Sequence, residues 1–547
     1  MSGMRGIRRI GALSLPLAAW LAVAGCQRHG EHSELGDRTK TGRLAPELKN
    51  LGDYQRRIST KSADAQRFFT QGLILVYGFN HAEALRSFQE SARLDPDCGM
   101  MYWGQALALA PNINDSAVGP DREQQGFEAI QKALSKRGGL SAVESALIEA
   151  LAARFTAAEK PDRELLNKAY AEAMANVYGQ FPDDPDVATL YADAVMNTMP
   201  WDYWTKDGKP RPGTSEALTA LEKAIQVSPD HPGAHHLYIH AVEASHDPDR
   251  AVPSAEKLGG LVPAAGHLVH MPSHIFIRVG RYSDAAEANI KAIAADEDYI
   301  SQCRAQGIYP AAYYPHNIHF LFAALSMEGR SREAIEAARK VATRHDHHHL
   351  AEPGFGFAHL LRTMPYFAML RFGRWDEMLA EPEPAGSTFV TAMWRYGRGT
   401  ALAAKGDADK AQAELQELAR LAKAPELAEM KIFDLNSLDK LAAIAEALLE
   451  GEIAAVKKDA GKAVKALRRA VEIEESLLYS EPPDWPLPPR HILGAVLLEF
   501  GRAKEAEQCF REDLRRHRNN GWALRGLERS LEMQGRKAEA AQVSADF

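Results

Sequence analysis

The sequence contains few cysteines, no excess of positive charge and no long apolar run beyond its first residues. Its four cysteines, Cys26, Cys98, Cys303 and Cys509, lie far apart, so we do not expect a disulfide scaffold. The formal net charge is -8, with both signs interspersed. This argues against nucleic acid as a partner, because a phosphate backbone requires a basic face. No interior apolar run reaches the roughly 18 residues that a membrane-spanning helix needs.

Several catalytic sequence patterns are also missing. The chain has no Gly-x-Ser-x-Gly elbow, no glycine-rich phosphate loop, no Cys-x-x-Cys pair and no His-Glu-x-x-His. The nearest approach to a zinc-protease pattern is His236-x-x-x-His240-x-x-Glu243, which lacks a glutamate beside its first histidine. The common hydrolase, nucleotide-binding and dithiol chemistries are therefore not indicated.

The N-terminal residues have the pattern of a bacterial lipoprotein signal peptide. Arginines precede an apolar stretch over residues 10–25 that ends in small residues. The string VAGC at 23–26 resembles a lipobox, which implies that residues 1–25 are removed and that Cys26 carries the lipid. Gln27, in place of Asp, implies retention at the outer membrane, on its periplasmic face. Residues 26–58 are polar and are expected to form a tether.

The rest of the chain has a helical repeat of about 34 residues. A glycine that ends one helix is followed, five positions later, by a small residue that lets the next helix pack closely. This spacing recurs in the segments GRYSDAAEA, GRSREAIEA, GDADKAQAE, GRAKEAEQC and GRKAEAAQV. It predicts an all-α, right-handed α-solenoid of tetratricopeptide-like helix-turn-helix repeats. We expect one array over residues 59–380 and further repeats over residues 381–547.

Histidine is concentrated in the middle of this array. Of 20 histidines, 15 lie between His231 and His359, which is under a quarter of the chain. Three groups have a spacing that places their members on one face of a helix. The groups are His236, His240 and Glu243; His267, His270 and His274; and His316 and His319. The repeat frame puts all of them at groove-lining positions of three consecutive repeats.

The seven histidines and Glu243 are therefore expected to converge inside the superhelix. Imidazole and carboxylate groups on facing helices form metal sites in helical scaffolds, and this set could hold one or two ions. Nitrogen and oxygen ligands favour Zn, Cu or Fe. Such a metal could support hydrolytic or oxidative catalysis, with Glu243 as a ligand or a general base. The alternative is a non-catalytic scaffold whose histidine-lined groove binds a peptide, a protein or a small molecule.

Aromatic residues in two insertions are candidates for walls of the same groove. Trp201 and Trp204 interrupt one repeat, and Tyr313 and Tyr314 precede His316 in another. The second insertion lengthens its repeat and could fold over the groove as a lid. The tract over residues 345–349 could cap the site or form a solvated turn.

Four strings resemble a group of bacterial tetratricopeptide-repeat proteins with long, histidine-rich repeats. They are FNHAEALRSFQESARLDPDCGMMYWG, HHLYIHAVEAS, HLVHMPSHIFIRVGRY and YYPHNIHFL. The resemblance extends along most of the chain and implies the repeat fold, but it implies no particular reaction. The metal hypothesis therefore depends on helical register and on ligand chemistry.

Overall fold

The computed structural model describes residues 42–303, 309–343 and 356–546. The lipobox with Cys26, the signal peptide, the first part of the tether and the tract at 345–349 lie outside the described residues. The side chain of Cys303 also lies outside them. Cys98 and Cys509 are buried free thiols. Among the described helices, none is long and apolar enough to cross a membrane.

The described residues are helical almost throughout. The first half contains α1 (Ala63–Tyr77), α2 (His81–Leu94), α3 (Gly99–Leu109), α4 (Pro120–Ser135), α5 (Ala142–Ala152), α6 (Arg163–Gln180), α7 (Pro185–Met196), α8 (Thr214–Val227), α9 (Pro232–Glu243), α10 (Val252–Leu261), α11 (Gly266–His270), α12 (Pro272–Arg278) and α13 (Tyr282–Cys303). A 3-10 turn, Pro248–Ala251, precedes α10, and a π turn, Tyr309–Tyr313, follows α13.

The second half continues the same pattern. It contains α14 (Tyr314–Glu328), α15 (Ser331–Ala342), α16 (Gly356–Arg371), α17 (Trp375–Ala380), α18 (Thr388–Ala404), α19 (Ala408–Leu421), α20 (Pro425–Glu429), α21 (Leu438–Val456), α22 (Ala460–Ser476), α23 (Pro489–Glu499), α24 (Ala503–Arg516), α25 (Gly521–Met533) and α26 (Lys537–Asp546). Two short strands, β1 (Lys431–Ile432) and β2 (Asn436–Ser437), pair antiparallel between α20 and α21.

Consecutive helices pack against each other as antiparallel pairs, and the predicted turns join them. The five turn glycines have φ between 73° and 83°, a left-handed conformation that glycine adopts without steric cost; they are Gly280, Gly329, Gly406, Gly501 and Gly535. The alanine five positions after each glycine is at most 4% exposed. The chain is therefore an α-solenoid of tetratricopeptide-like repeats, as the sequence predicts.

The ends of the solenoid both return to its central repeats. At the N-terminal side α1 packs on α9, where Gly233 lies against the ring of Tyr77. At the C-terminal side α25 packs on α14, and the Trp522 indole donates a hydrogen bond to the Ser326 carbonyl at 2.9 Å. The interior of the superhelix is consequently closed around α9 to α14.

Candidate metal centre

Three stretches of helix bring the predicted ligands together. His236, His240 and Glu243 lie on α9, His267, His270 and His274 on α11 and α12, and His316 on α14. His231 is the N-cap residue of α9. Its Nδ1 accepts a hydrogen bond from the Ala234 amide at 3.1 Å. Between α11 and α12, Met271 keeps helical dihedral angles (φ -51°, ψ -35°). The histidine-bearing face therefore continues through the junction.

Six of the seven predicted histidines form two groups of three. The first trio is His236, His240 and His267, and the second trio is His270, His274 and His316. Within each trio, one nitrogen per ring lies within 4.8 Å of the others. Five of the six side chains are at most 2% exposed, and His316 is partly exposed. The histidines thus line a closed interior and not the open groove that we expected.

Outer hydrogen bonds fix the orientation of four of these rings. His236 Nδ1 bonds the Tyr77 carbonyl (2.6 Å), His240 Nδ1 bonds Glu243 Oε1 (2.7 Å), His270 Nδ1 bonds Asn289 Oδ1 (2.7 Å) and His274 Nδ1 bonds Glu243 Oε2 (2.5 Å). These oxygens can only accept, so Nδ1 carries the proton in each ring and Nε2 of the neutral ring presents a lone pair. Metal-binding histidines characteristically have such bonds.

The Nε2 atoms face one another inside each trio. Those of His236 and His267 are 3.1 Å apart, and those of His270 and His274 are 2.9 Å apart. His240 Nε2 is buried and has no hydrogen-bond partner among the described residues. Two ligands bound to one metal at 2.0–2.1 Å would place their nitrogens about 2.9–3.4 Å apart. The spacings therefore fit a shared metal ion.

Burial favours the neutral form of five of the six rings, those of His236, His240, His267, His270 and His316. It lowers the pKa of His236, His267 and His270 well below the usual value, and neighbouring imidazoles lower it further. Burial also lowers the pKa of His240, although the Glu243 carboxylate opposes this effect. An additional proton on these rings would thus be costly, whereas a metal cation could use their lone pairs.

Glu243 connects the two trios. Each of its oxygens accepts an Nδ1 proton, one from His240 and the other from His274. Burial by itself raises the pKa of Glu243, but the attraction of His274 and His240 outweighs it and lowers the pKa to about 2. Each of these oxygens keeps a further lone pair. Glu243 therefore orients His240 and His274 and is also a candidate ligand or general base, because the three residues form a third group whose ligand atoms lie within 4.8 Å of one another.

Two aromatic side chains with unusual backbone conformations form a wall of the first trio. Phe79 has φ 56° and Trp201 has φ 64°, which is strained for bulky residues. The Phe79 ring stacks at 5.5 Å on His267 and at 6.0 Å on His240, and the Trp201 ring meets His240 edge-on at 5.1 Å. Such strain is typical of functional sites.

Phe79 was not predicted, although the sequence contains a signal for it. It lies five positions before Ala84 and so occupies the place of the inter-helix glycine in the first repeat. A phenylalanine where the chain requires a left-handed residue costs stability, so another role is indicated.

The second trio packs on Phe320, and His319 lies apart from it. The Phe320 ring lies 4.5–4.9 Å from His270, His274 and His316. His319 instead lies near Phe322 and Phe357, and neither of its nitrogens has a partner among the described residues. Residues i and i+3 differ by about 60° around a helix. His316 can therefore reach the trio while His319 cannot.

The other predicted wall residues have different environments. Tyr313 contacts His267 edge-on, with ring centroids 4.8 Å apart. The Trp204 indole donates to the Ala241 carbonyl at 2.7 Å, on the backbone of α9. Tyr314 donates to Glu297 at 2.7 Å, away from both trios. Only Trp201 and Tyr313 of the four thus contact a trio histidine in the described structure.

A segment far along the chain reaches the site, which the sequence does not predict. Tyr479 lies between α22 and α23, and its hydroxyl is 3.5 Å from Glu243 Oε2. The same hydroxyl donates to Glu481 Oε1 at 2.7 Å. Burial raises the pKa of Glu481, and Arg278 opposes this effect. The C-terminal repeats therefore contribute to the closure of the candidate centre.

Searches of family models and of curated proteins gave no match to this chain. Among solved structures, a human IFIT1 dimer with m7Gppp-AAAA is 14% identical, with 89% of this chain and 90% of that chain covered and a TM-score of 0.32. The APC/C Cut9-Hcn1 hetero-tetramer is 15% identical, with 87% of this chain and 78% of that chain covered and a TM-score of 0.32. Yeast Tom70 is 12% identical, with 87% of this chain and 90% of that chain covered and a TM-score of 0.28. The helix pairs of this chain, and not these neighbours, define its fold as an α-solenoid.

Proposed function

We propose that this solenoid is a metal-binding protein that holds two transition-metal ions, one in each histidine trio. The facing Nε2 atoms carry the proposal: in the second trio, His270 and His274 present lone pairs to each other at 2.9 Å. Two lone pairs at this distance repel each other, and a metal cation between the atoms would relieve that repulsion. The imidazole ligands suit Zn, Cu or Fe.

The outer hydrogen bonds support the same proposal. Nδ1 of His236, His240, His270 and His274 donates to an oxygen, so their Nε2 atoms are available as ligands. Three histidines per ion leave at least one coordination position free for water or a further ligand. Glu243 gives the centre one negative charge.

A peptide-binding groove is the alternative for a solenoid of this class. The repeat fold itself fits a binding or scaffold role. At the histidine positions, however, the interior is filled by Phe79 and closed by the segment that contains Tyr479. A peptide could not contact the trios without displacing these residues, so the buried histidines favour metal.

Elemental analysis of untagged protein tests the proposal. The full chain is stripped with a chelator, loaded separately with Zn, Cu and Fe, desalted and analysed by inductively coupled plasma mass spectrometry. We expect close to two ions per chain for at least one metal, as the two trios require. Metal content at the level of the buffer blank for all three metals would overturn the proposal.

A pair of variants on neighbouring repeats makes the test specific. His274→Ala removes a ligand of the second trio, and we expect the metal content to fall by about one ion per chain. His319→Ala is the matched control, because His319 is as deeply buried but belongs to neither trio. Equal loss of metal in both variants would indicate an effect on folding and not on ligation.

We also propose that the protein is anchored in the cell envelope through lipid on Cys26. The support is the sequence alone: a basic start, an apolar core and the string VAGC at 23–26. Metabolic labelling with a radioactive fatty acid tests it in the native host. We expect label on the wild-type chain and none on Cys26→Ser, and an unlabelled wild-type chain would contradict the proposal.

A further inference from the structure

A mainly apolar cavity with a few polar side chains lies between the central repeats and the proline-rich segment that follows Tyr479. It has a volume of about 30 Å³. Its apolar wall includes Ile277, Met327 and Pro482, and its polar lining includes Tyr282, His319, Trp485 and His517. It contains none of the trio histidines, so it is a separate site.

Three of the lining side chains present polar atoms that no described residue satisfies. These atoms are the Tyr282 hydroxyl, both nitrogens of His319 and the Trp485 indole nitrogen. The three side chains are at most 5% exposed. An unsatisfied buried polar group costs free energy, and such groups are rare in native proteins. Several of them around one cavity indicate a polar occupant.

The charges around the cavity favour an anionic occupant. Arg371 donates to His491 Nδ1 at 3.0 Å and contacts the Met327 sulfur, and its Nε has no hydrogen-bond partner among the described residues. Burial lowers the pKa of Arg371 to about 10, although the charge of Asp513 opposes this effect. Burial opposes the charged form of His517 as well, but Asp513 raises its pKa above the usual value.

Three carboxyl groups lie near the cavity lining, and burial raises the pKa of one of them, Glu474, to about 7. Asp513 accepts hydrogen bonds from His491 at 2.8 Å, from His517 at 3.0 Å and from Asn520 at 3.0 Å. Glu481 Oε1 accepts from Tyr479, its Oε2 has no hydrogen-bond partner among the described residues, and burial raises its pKa. None of the three carboxyl groups accepts a hydrogen bond from Tyr282 or Trp485, so these donors are free for a ligand.

The geometry points to a binding site for a small carboxylate in this cavity. The Trp485 indole can only donate, and Tyr282 and the protonated nitrogen of His319 can also donate, which suits a ligand with two acceptor oxygens. The apolar wall suits a short alkyl group. A volume of about 30 Å³ holds about two water molecules, which is close to the size of acetate.

Acetate is the probe for this site, and acetamide is its neutral analogue of the same shape. The full chain is titrated with sodium acetate, acetamide or sodium chloride at equal ionic strength. Thermal unfolding and saturation-transfer NMR from the methyl group are followed. We expect a saturable rise in the unfolding midpoint with acetate only. Equal responses to acetate and chloride, or to acetate and acetamide, would overturn the assignment.

The nearly isosteric variant Tyr282→Phe and the smaller variant Trp485→Phe locate the binding. Tyr282→Phe and Trp485→Phe each remove one donor, and we expect each to weaken acetate binding about tenfold or more. The Tyr282→Phe chain should fold at least as stably as wild type, because its hydroxyl has no partner to lose. Tyr170→Phe, at a buried tyrosine outside the cavity, is the control. Wild-type acetate affinity in both test variants would contradict the site.

The proposal of a metal centre and the proposal of a carboxylate site can be tested independently. His274→Ala removes a trio ligand and leaves the cavity residues in place, so it should bind acetate as wild type does. Loss of acetate binding in His274→Ala would show that the two sites are one, which contradicts this inference without bearing on metal stoichiometry.

Discussion

His270 and His274 point their Nε2 atoms at each other across 2.9 Å, while the Nδ1 atom of each ring bonds an oxygen on another helix. Asn289 holds the first ring and Glu243 holds the second. The Asn289 amide is itself fixed, because its nitrogen donates to the Ala285 carbonyl at 2.7 Å. Neither ring can therefore rotate to remove the contact without breaking a buried hydrogen bond. The proposed metal ion, placed between the two nitrogens, would account for the arrangement.

Glu243→Gln should weaken metal binding without removing a histidine ligand. A glutamine has one oxygen and one amide group, so it can accept from only one of His240 and His274. The other ring would face the glutamine amide group, which donates as Nδ1 does, and would therefore rotate away from it. We expect the affinity for metal to fall about 10–100-fold, as is typical when an outer hydrogen-bond partner is lost. Competition with a chromophoric chelator measures the change.

A matched carboxyl elsewhere in the chain controls this comparison. Glu452 accepts a hydrogen bond from the Thr400 hydroxyl at 2.8 Å and is remote from the trios, and burial raises its pKa to about 7. Glu452→Gln should therefore bind metal like the wild type. If Glu243→Gln also retained wild-type affinity, the carboxylate would have no part in orienting the ligands.

Metal should stabilise the folded chain through both trios. A ligand at 100 times its dissociation constant adds about 2.7 kcal/mol to the free energy of unfolding when it binds only the folded state. Chelation should therefore lower the thermal midpoint of the loaded protein. A chain with His240→Ala and His274→Ala has one substitution in each trio, and its midpoint should not respond to chelator. A response equal to that of wild type would place the metal elsewhere.

Local periodicity is what made the fold predictable. Each turn glycine and the alanine five positions later are neighbours in sequence, so their spacing predicted the helix pairs directly. The same periodicity placed His236 and His240 on one face of α9. It gave less information for His319, because residues three apart share a face only approximately. Its separation from His316 depended on packing against Phe357, which is in a later repeat.

The closure of the centre depends on the curvature of the whole array. Phe79 and Tyr479 lie at opposite ends of the solenoid in sequence, yet both reach α9. Such contacts depend on the small rotation at each repeat, which a repeat motif does not specify. The sequence therefore predicted the ligands but not that they would be sealed from solvent.

Gly233→Ala should disturb the first trio through Tyr77. A Cβ at Gly233 would lie 2.4 Å from the Tyr77 ring, too close for normal contact. Tyr77 holds His236 through its carbonyl and binds Asp186 through its hydroxyl at 2.6 Å, so it cannot move freely. We expect a loss of about 1–3 kcal/mol in stability, measured in urea, and weaker metal binding.

Gly179→Ala is the matched control for that substitution. Gly179 lies in α6, and a Cβ there would meet nothing within 4 Å. Alanine should stabilise this helix by about 0.5–1 kcal/mol and leave metal binding unchanged. If Gly233→Ala behaved in the same way, the packing of α1 on α9 would not contribute to the site.

Asp296 should make stability depend on pH. It is fully buried, and it accepts hydrogen bonds from Tyr309 at 2.8 Å and from Asn317 at 2.7 Å. Burial raises its pKa to about 7, although both hydrogen bonds oppose the shift. Between pH 4 and pH 7 the unfolded chain therefore loses this proton while the folded chain keeps it. Stability should fall as pH rises through this range, by about 4 kcal/mol at most.

Asp296→Asn removes that titration, so the stability of the metal-free variant relative to wild type should increase from pH 4 to pH 7 and then level off. An asparagine can keep hydrogen bonds to both neighbours, since its oxygen accepts from Tyr309 and its amide can donate to Asn317 Oδ1, which has no partner among the described residues.

Asp409→Asn, at a side chain that is 99% exposed, is the control and should follow wild type. Urea denaturation at each pH measures the difference. A constant difference between Asp296→Asn and wild type across this range would mean that Asp296 is ionised in the folded protein, and hence that burial does not control its pKa.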